Sequence, residues 1–265
     1  TSADDDVREL EGPWEYAGFY DGEIFTDKPL SAIGKPVKSA ASLPEKLEKT
    51  DCAVRIREEI PVKVITRQGE ATIIDFGQNF AGIISIDPSK MQGSELKLRH
   101  GEILNSDGTL YTANLRKAKA EIVYKKGESN KIYRPRFTYM GFRYAELSGV
   151  PYVEGLITAH AIYSDMERIG DFTCENPLVD RLFKNQVWGQ KSNYVEVPTD
   201  CPQRDERLGW TGDAQVFART ASTTYRTDKF FRKWLHDLAA DQRENGAFTD
   251  VCPELQGWES HGSSA

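Results

Sequence analysis

The stretch that decides the fold is CENPLVDRLFKNQVWGQ, residues 174–190, because its apolar residues recur at helical spacing, whereas those before it alternate. Asn176 is a favourable helix N-cap, and Pro177 suits the first helical position, where its missing N–H is not needed. The apolar residues at helical spacing are Val179, Leu182, Phe183 and Val187. This pattern predicts an amphipathic α-helix.

The sequence upstream of this helix is typical of short β-strands. Residues 71–88, ATIIDFGQNFAGIISIDP, contain two β-branched runs separated by a turn with glycine and asparagine. Residues 94–104, SELKLRHGEIL, alternate apolar and charged side chains, which places His100 on the inward face. We therefore predict a packed core histidine there rather than an acid–base pair with Glu102. Strands with no helices between them predict an antiparallel β-sandwich.

Two further helices are predicted downstream. GDAQVFARTASTTY forms one, starting at Asp213, and TDKFFRKWLHDLAADQREN forms the next, with Gly246 as its stop. The predicted apolar face of the last helix consists of Phe231, Trp234, Leu235 and Leu238. Three successive helices joined by long loops indicate the beginning of an all-α domain.

The chain divides into three predicted parts, which together give a multidomain β plus all-α protein. Residues 1–60 have aromatics and turns without a clear period and are interpreted as the tail of a preceding β-module. Residues 61–163 form the β-sandwich, and residues 164–265 form the N-terminal part of the helical domain. Because the helical part holds so few helices, we expect that domain to be truncated.

The amino-acid composition and the net charge limit the classes of function that this protein can have. The 265 residues carry a net charge of -7 and have a pI near 5.3, which disfavours a protein that follows nucleic-acid phosphates. No apolar run approaches the length of a membrane span. The four cysteines are scattered and only four histidines occur, so neither a structural zinc site nor a disulfide scaffold is expected. Oligomeric state and compartment (cytoplasmic, periplasmic or secreted) stay open.

The chemistry is concentrated in PTDCPQRDERLGWTGDAQ, residues 198–215. One interpretation is a structural ion-pair network, which composition alone favours. The other is a ligand site, in which crowding of carboxylates around Glu206 raises at least one pKa, so that a protonated acid can donate to a leaving oxygen. Arg204 would then bind hydroxyls rather than balance charge. Trp210, an exposed aromatic hinged by glycines, would stack on a sugar ring.

Two other residues of this stretch are assigned structural roles. Asp205 is expected to pair with Arg207 or with a backbone amide rather than to act as a second acid. Cys201 has no histidine near it in sequence, and we predict a small buried thiol.

The same stretch resembles the catalytic-acid motif of bacterial-type α-L-rhamnosidases, glycoside hydrolase family 78. Four further segments resemble that family in the same order: DFGQNFAGIISI, LRHGEILNSDGTLYTANLRKA, YRPRFTYMGFRYAELSG and GDFTCENPLVDRLFKNQVWGQKSN. The resemblance implies an antiparallel β-sandwich followed by an (α/α)6 barrel, of which this chain holds the first helices. It also implies hydrolysis of terminal α-L-rhamnosyl groups with inversion of configuration.

The resemblance implies roles for five residues. Glu206 matches the general acid that protonates the departing glycosidic oxygen. Asp200, Arg204 and Asp213 match positions that hydrogen-bond the rhamnose hydroxyls, and Trp210 matches an aromatic of the sugar pocket. No metal or organic cofactor is implied. The expected partner is a rhamnose-containing glycoside or polysaccharide.

The general base stays unassigned. An inverting glycosidase needs a second carboxylate roughly 6.5–9.5 Å from the acid, and in the family this residue comes from much later in the barrel. Neither Glu254 nor Glu259 lies in a matching motif. We therefore expect this chain to carry the acid half of a catalytic pair. Two alternatives are a non-catalytic sugar-binding fragment and a related inverting glycosidase of different sugar specificity.

Overall fold

The computed structural model describes residues 8–36 and 50–255, so Glu259 lies outside the described residues. The strands that precede the helices are β1 Arg8–Glu11, β2 Trp14–Gly18, β3 Gly22–Thr26, β4 Ser31–Pro36, β5 Val54–Ile60, β6 Val64–Gln68, β7 Ala71–Ile86, β8 Glu95–Gly101, β9 Glu121–Lys125, β10 Met140–Ser148 and β11 Ile157–Ser164. They are followed by α1 Pro177–Asn193, β12 Tyr194–Val195, β13 Val197–Pro198, α2 Thr211–Thr224 and α3 Asp228–Ala240. Short 3₁₀ turns occupy Pro88–Lys90 and Ala113–Leu115.

Nine of these strands form one sheet in the order β2-β3-β9-β8-β10-β7-β11-β5, and β6 also pairs with β7. The neighbours are antiparallel apart from β3 and β9, which run parallel. The predicted order of a β-domain followed by helices is confirmed. The parallel pair was not predicted, because no helical crossover marks it in the sequence.

Strands from both sides of residue 60 share this sheet. β3 and β5 come from the segment predicted as a separate β-module, and they pair with β9 and β11. Strand pairing satisfies backbone N–H and C=O groups whatever the distance along the chain. The sheet therefore extends across the predicted boundary, and the three-part division of the chain stays a prediction.

The apolar core of the sheet is built mainly on its central strands. The largest fully buried side chains there are Tyr124, Phe76, Phe80, Phe142, Ile74, Ile84, Ile86, Leu96, Leu98 and Ile122. His100 is 1% exposed, and its Nδ1 lies 2.8 Å from the carbonyl oxygen of Ala120. Burial lowers the pKa of His100 to about 4. The predicted core histidine is confirmed.

Helix α1 begins as its sequence predicts. Asn176 accepts a hydrogen bond from the Leu178 N–H at 3.0 Å, and Pro177 is the first helical residue. Its apolar face is only partly covered, however, because Val187 is 7% exposed whereas Leu182 is 68% exposed.

The other two helices differ from their predicted bounds. Helix α2 begins at Thr211, two residues before Asp213, where the Thr211 N–H donates to the carbonyl of Asp250. Helix α3 ends at Ala240, and Gly246 lies beyond it in a turn with φ +85°. Phe230 and Trp234 are buried, whereas Leu235 is 58% exposed, so the buried face is rotated from the predicted one. Within the described ranges, none of the helices combines the length and apolar character needed to cross a membrane.

Candidate active site

The stretch between β13 and α2, residues 199–210, forms a loop that we call the motif loop. It packs directly on β10, since a Cβ added at Gly141 would lie 2.7 Å from Pro202 Cγ and 3.0 Å from Gln203 Cβ. The loop is closed on itself by Asp200, whose N–H donates to the Leu208 carbonyl at 3.0 Å and whose Oδ1 accepts from the Leu208 N–H at 2.8 Å. Glycine in β10 thus allows the loop to approach the sheet closely.

Arg207 anchors the motif loop to the sheet. The residue is 4% exposed, and its guanidinium donates to the carbonyls of Tyr139 at 2.6 Å and Phe19 at 3.1 Å. Within the loop it donates to the carbonyls of Arg204 at 3.2 Å and Gln203 at 3.1 Å. Among the described residues, Arg207 bonds to these carbonyls rather than to Asp205, for which either Arg207 or a backbone amide was the predicted partner.

Glu206 lies where the motif loop meets the sheet, and its side chain is 15% exposed. Its Oε2 accepts from Arg204 Nε at 2.8 Å and from Arg116 Nη1 at 2.9 Å. Its Oε1 accepts from Trp210 Nε1 at 3.1 Å, and its backbone carbonyl accepts from the Tyr20 hydroxyl at 2.7 Å. Three N–H donors from three residues therefore fix the orientation of this carboxyl group.

The pKa rise that was expected for at least one of the crowded carboxyl groups does not occur at Glu206. Burial raises the pKa of Glu206, but the hydrogen bond and charge of Arg204, the charge of Arg116 and the hydrogen bond from Trp210 outweigh burial. The pKa of Glu206 therefore lies below its ordinary value. Arg204, which was expected to bind hydroxyls rather than balance charge, contacts the same oxygen as Arg116, a residue that the sequence did not place in the site.

Asp200 and Cys201 lie beside Glu206, and their contacts decide whether this group of side chains could bind a metal ion. Asp200 Oδ2 accepts from Arg204 Nη2 at 3.0 Å, so Arg204 bridges Asp200 and Glu206. Potential ligand atoms of Asp200, Cys201 and Glu206 lie within 4.8 Å of one another. Because Arg204 contacts both carboxylates, this group does not fit a metal cation. The predicted buried thiol is confirmed, and burial raises the pKa of Cys201 to about 11.

Trp210 and Asp213 occupy the start of α2. Trp210 is half-buried and bonded to Glu206, so it is not the exposed, glycine-hinged aromatic that the sequence suggests. Gly209 is buried instead, and a Cβ there would lie 2.2 Å from the carbonyl oxygen of Cys252. Asp213 is exposed in the first turn of α2 and shares with Asp200 a cavity of about 380 Å³ between α1 and α2.

Two adjacent family models match the chain. The one described as the bacterial alpha-L-rhamnosidase concanavalin-like domain matches residues 65–163. The one described as the bacterial alpha-L-rhamnosidase 6 hairpin glycosidase domain matches residues 167–264. The chain belongs to the bacterial α-L-rhamnosidase family. The resemblance read from the motifs is thereby confirmed.

Curated α-L-rhamnosidases are similar to the chain over most of its length. One from Streptomyces avermitilis is 43% identical over 218 residues, covering 80% of this chain and 21% of that protein. Another, from Formosa agariphila, is 35% identical over 269 residues, covering 92% of this chain and 28% of that protein. The chain therefore spans less than a third of the length of either α-L-rhamnosidase.

Solved α-L-rhamnosidase structures share the fold. The Streptomyces avermitilis enzyme complexed with L-rhamnose matches with a TM-score of 0.83 at 38% identity, covering 92% of this chain and 25% of that chain. The α-L-rhamnosidase from Dictyoglumus thermophilum also matches with a TM-score of 0.83, at 36% identity, covering 95% of this chain and 30% of that one.

The structure adds residues that sequence reasoning missed. Arg116, Tyr20 and Glu102 come from the sheet side, and none was assigned to the site from the sequence. Glu102 accepts from Asn79 at 2.8 Å, and burial raises its pKa. Arg116 falls in a segment that matches the family, but its contact with Glu206 joins residues 90 positions apart. A local sequence pattern carries no signal for such a contact.

Proposed function

We propose that the full-length protein carrying this chain is a glycoside hydrolase that removes terminal α-L-rhamnose from glycosides or polysaccharides with inversion, using Glu206 as its general acid. The observation that carries this proposal is the carboxyl group of Glu206, with N–H donors from Arg204, Arg116 and Trp210 within 3.1 Å. Family membership supports the reaction class. A similar enzyme is described in complex with L-rhamnose.

In the proposed reaction, protonated Glu206 donates its proton to the glycosidic oxygen while the bond from that oxygen to the anomeric carbon breaks. Water attacks the anomeric carbon from the opposite face and gives its proton to a base carboxylate. Glu206 is left ionised, and the two guanidinium groups stabilise that charge as it develops. The products are the aglycone alcohol and rhamnose of inverted configuration.

The remaining matched residues are proposed to bind the sugar. Asp200 and Asp213 line one cavity, where their carboxylates can accept hydrogen bonds from hydroxyl groups. Arg204 can donate to a hydroxyl as well as to Glu206. Trp210 offers an aromatic face to the apolar side of the ring and its methyl group.

The base carboxylate is proposed to come from another part of the full-length protein. In the part of the chain that the structure describes, Asp200 and Glu206 are the carboxylates that contact Arg204. They are assigned to sugar binding and to acid catalysis, so neither is the proposed base. We therefore expect the 265-residue chain by itself to lack turnover, while the full-length protein is active.

The experiment is release of aglycone from an aryl α-L-rhamnoside and from a rhamnosyl disaccharide by the full-length protein. We expect Glu206→Gln to lower kcat/KM on the disaccharide about 10²–10⁴-fold, because its leaving oxygen needs a proton. The loss on the aryl substrate should be smaller, since its aglycone leaves as a stabilised phenolate and needs little protonation. The matched control Asp205→Asn alters the adjacent carboxylate and should stay within about threefold of the unaltered protein.

Proton NMR of the first product tests the stereochemistry. Inversion requires the β-anomer of rhamnose to form first and the α-anomer to grow in by mutarotation. Full activity of Glu206→Gln, or an initial α-anomer, would overturn the proposal. Rhamnose binding without any turnover by the full-length protein would identify a sugar-binding module instead.

A further inference from the structure

Arg116 reaches Glu206 from the sheet rather than from the motif loop. Its Nη1 donates at 2.9 Å to the same Oε2 that accepts from Arg204 Nε at 2.8 Å. The Tyr20 hydroxyl, also on the sheet side, donates to the Glu206 backbone carbonyl at 2.7 Å. The carboxyl group and its backbone are thus both held from outside the motif loop.

The backbone at Arg116 is held in an unfavourable conformation. Its φ is +57°, in the left-handed region that residues with a Cβ rarely adopt, directly after the 3₁₀ turn Ala113–Leu115. On either side Leu115 is 1% exposed and Ala118 is 7% exposed, and these buried residues fix the turn. Such conformations persist where surrounding contacts determine them, and they cluster at functional sites.

The charges around Glu206 come from two sides. The titratable and charged groups that face it are Asp200, Cys201 and Arg204 from the motif loop, and Tyr20 and Arg116 from the sheet side. Arg204 also bonds to Asp200, so its charge is shared between two carboxylates. Within residues 8–36 and 50–255, the ion pair of the Arg116 side chain is with Glu206.

We propose that Arg116 is a positioning residue for Glu206, so that the sheet supplies the second guanidinium that orients the acid and sets its charge. This inference rests on the proposed role of Glu206 as the acid. The Arg116 side chain is 55% exposed, whereas that of Arg204 is 30% exposed. Arg116 is therefore the partner with room to move when a leaving group enters.

Loss of the Arg116 charge should change the pH dependence of activity in one definite direction. A general acid acts in its protonated form, so activity falls as pH rises through the pKa of Glu206. Burial raises this pKa, while Arg204 and then Arg116 lower it. Removing the Arg116 charge makes the carboxylate less stable and raises the pKa. The alkaline limb of the pH profile should then move to higher pH, although the acid is less well oriented.

The test is kcat/KM against pH for the full-length protein on a rhamnosyl disaccharide. We expect R116M to move the alkaline limb upward by about 0.5–1 pH unit and to lower the plateau about tenfold through lost orientation. R116K keeps the charge and should keep the limb near its original pH. The matched control K117M removes the same charge from the exposed neighbouring residue and should superimpose on the unaltered profile.

An alkaline limb that stays in place in R116M would overturn the inference, whatever happens to the plateau, because packing alone would then account for Arg116. If circular dichroism shows that R116M is unfolded, the limb of R116Q is measured in its place and judged in the same way. Failure of the proposed function is recognised separately, because it appears as full activity of E206Q on the same substrate.

Discussion

Among single residues, Arg207 is the buried charge on which the position of the motif loop depends. Its guanidinium lies 5.1–5.5 Å from the ring centres of Phe19, Tyr20 and Tyr139 and donates to four backbone carbonyls. Buried carbonyl groups that lose their donor are costly, because no water replaces it. The residue therefore stabilises the loop through the acceptors it satisfies.

We predict that Arg207→Met lowers the free energy of unfolding by about 3 kcal/mol, since it removes the hydrogen bonds that join the motif loop to the carbonyls of Phe19 and Tyr139. Urea unfolding of the chain measures this. The matched substitution Arg226→Met removes an exposed ion pair with Glu167 and should change stability by about 0.5 kcal/mol or less. Equal effects of the two substitutions would show that Arg207 is not a structural anchor.

Residue-level properties were predictable from sequence where a local pattern determines them. The alternation around His100 was sufficient to place it in the core, and Asn176 was recognisable as an N-cap. The pKa direction of Glu206 was not predictable, because Arg116 lies 90 positions away. The roles of the five residues that match the family motif stay predictions, although the structure brings Asp200, Arg204, Glu206 and Trp210 into one hydrogen-bonded group.

At the scale of elements, the contact between β10 and the motif loop determines how closely the loop lies on the sheet. Gly141 faces Pro202 and Gln203 at distances that leave no room for a methyl group. Gly189, in helix α1, has open space where its Cβ would be. The same substitution is therefore expected to have opposite effects at these two positions.

We predict that Gly141→Ala destabilises the protein by about 1–3 kcal/mol through overpacking against the motif loop. Gly189→Ala should instead stabilise it by about 0.5–1 kcal/mol, since alanine favours a helix interior. Thermal unfolding of both variants provides the measurement. A neutral Gly141→Ala would mean that the loop can shift away from the sheet without loss.

Element boundaries were predictable where a cap or a breaker is local, as at Pro177. They were less predictable where a distant segment decides them, as at Thr211, which pairs with Asp250. The spacing of apolar residues also could not decide which of Phe230 and Phe231 is buried, because both fit an apolar face. The parallel pairing of β3 with β9 joins strands that lie far apart in sequence, which no strand pattern reveals.

At the scale of the whole molecule, the three helices present apolar side chains to solvent. Leu178, Leu182, Val216 and Leu235 are 78%, 68%, 83% and 58% exposed. The sheet, in contrast, has a continuous buried core. Apolar exposure of this kind promotes association.

We predict that the 265-residue chain expressed by itself associates in a concentration-dependent manner through these helices. Light scattering coupled to size exclusion measures the mass. The double variant L182E/V216E should shift the population toward monomer, because charge disfavours burial of that face. The control I132E alters a 54% exposed residue of the β-domain and should leave association unchanged. A monodisperse unaltered chain would contradict the prediction.

The anchoring of Arg207 has a consequence for the order of folding. Its bond to Phe19 joins positions 188 residues apart, and contacts across such a span form late because closing a long loop loses chain entropy. Synthesis releases the N-terminal strands first, so their sheet is available as a template when the loop emerges. The loop that carries Glu206 therefore acquires its shape last, and in a molecule with a misfolded sheet the side chain of Glu206 is not held in place.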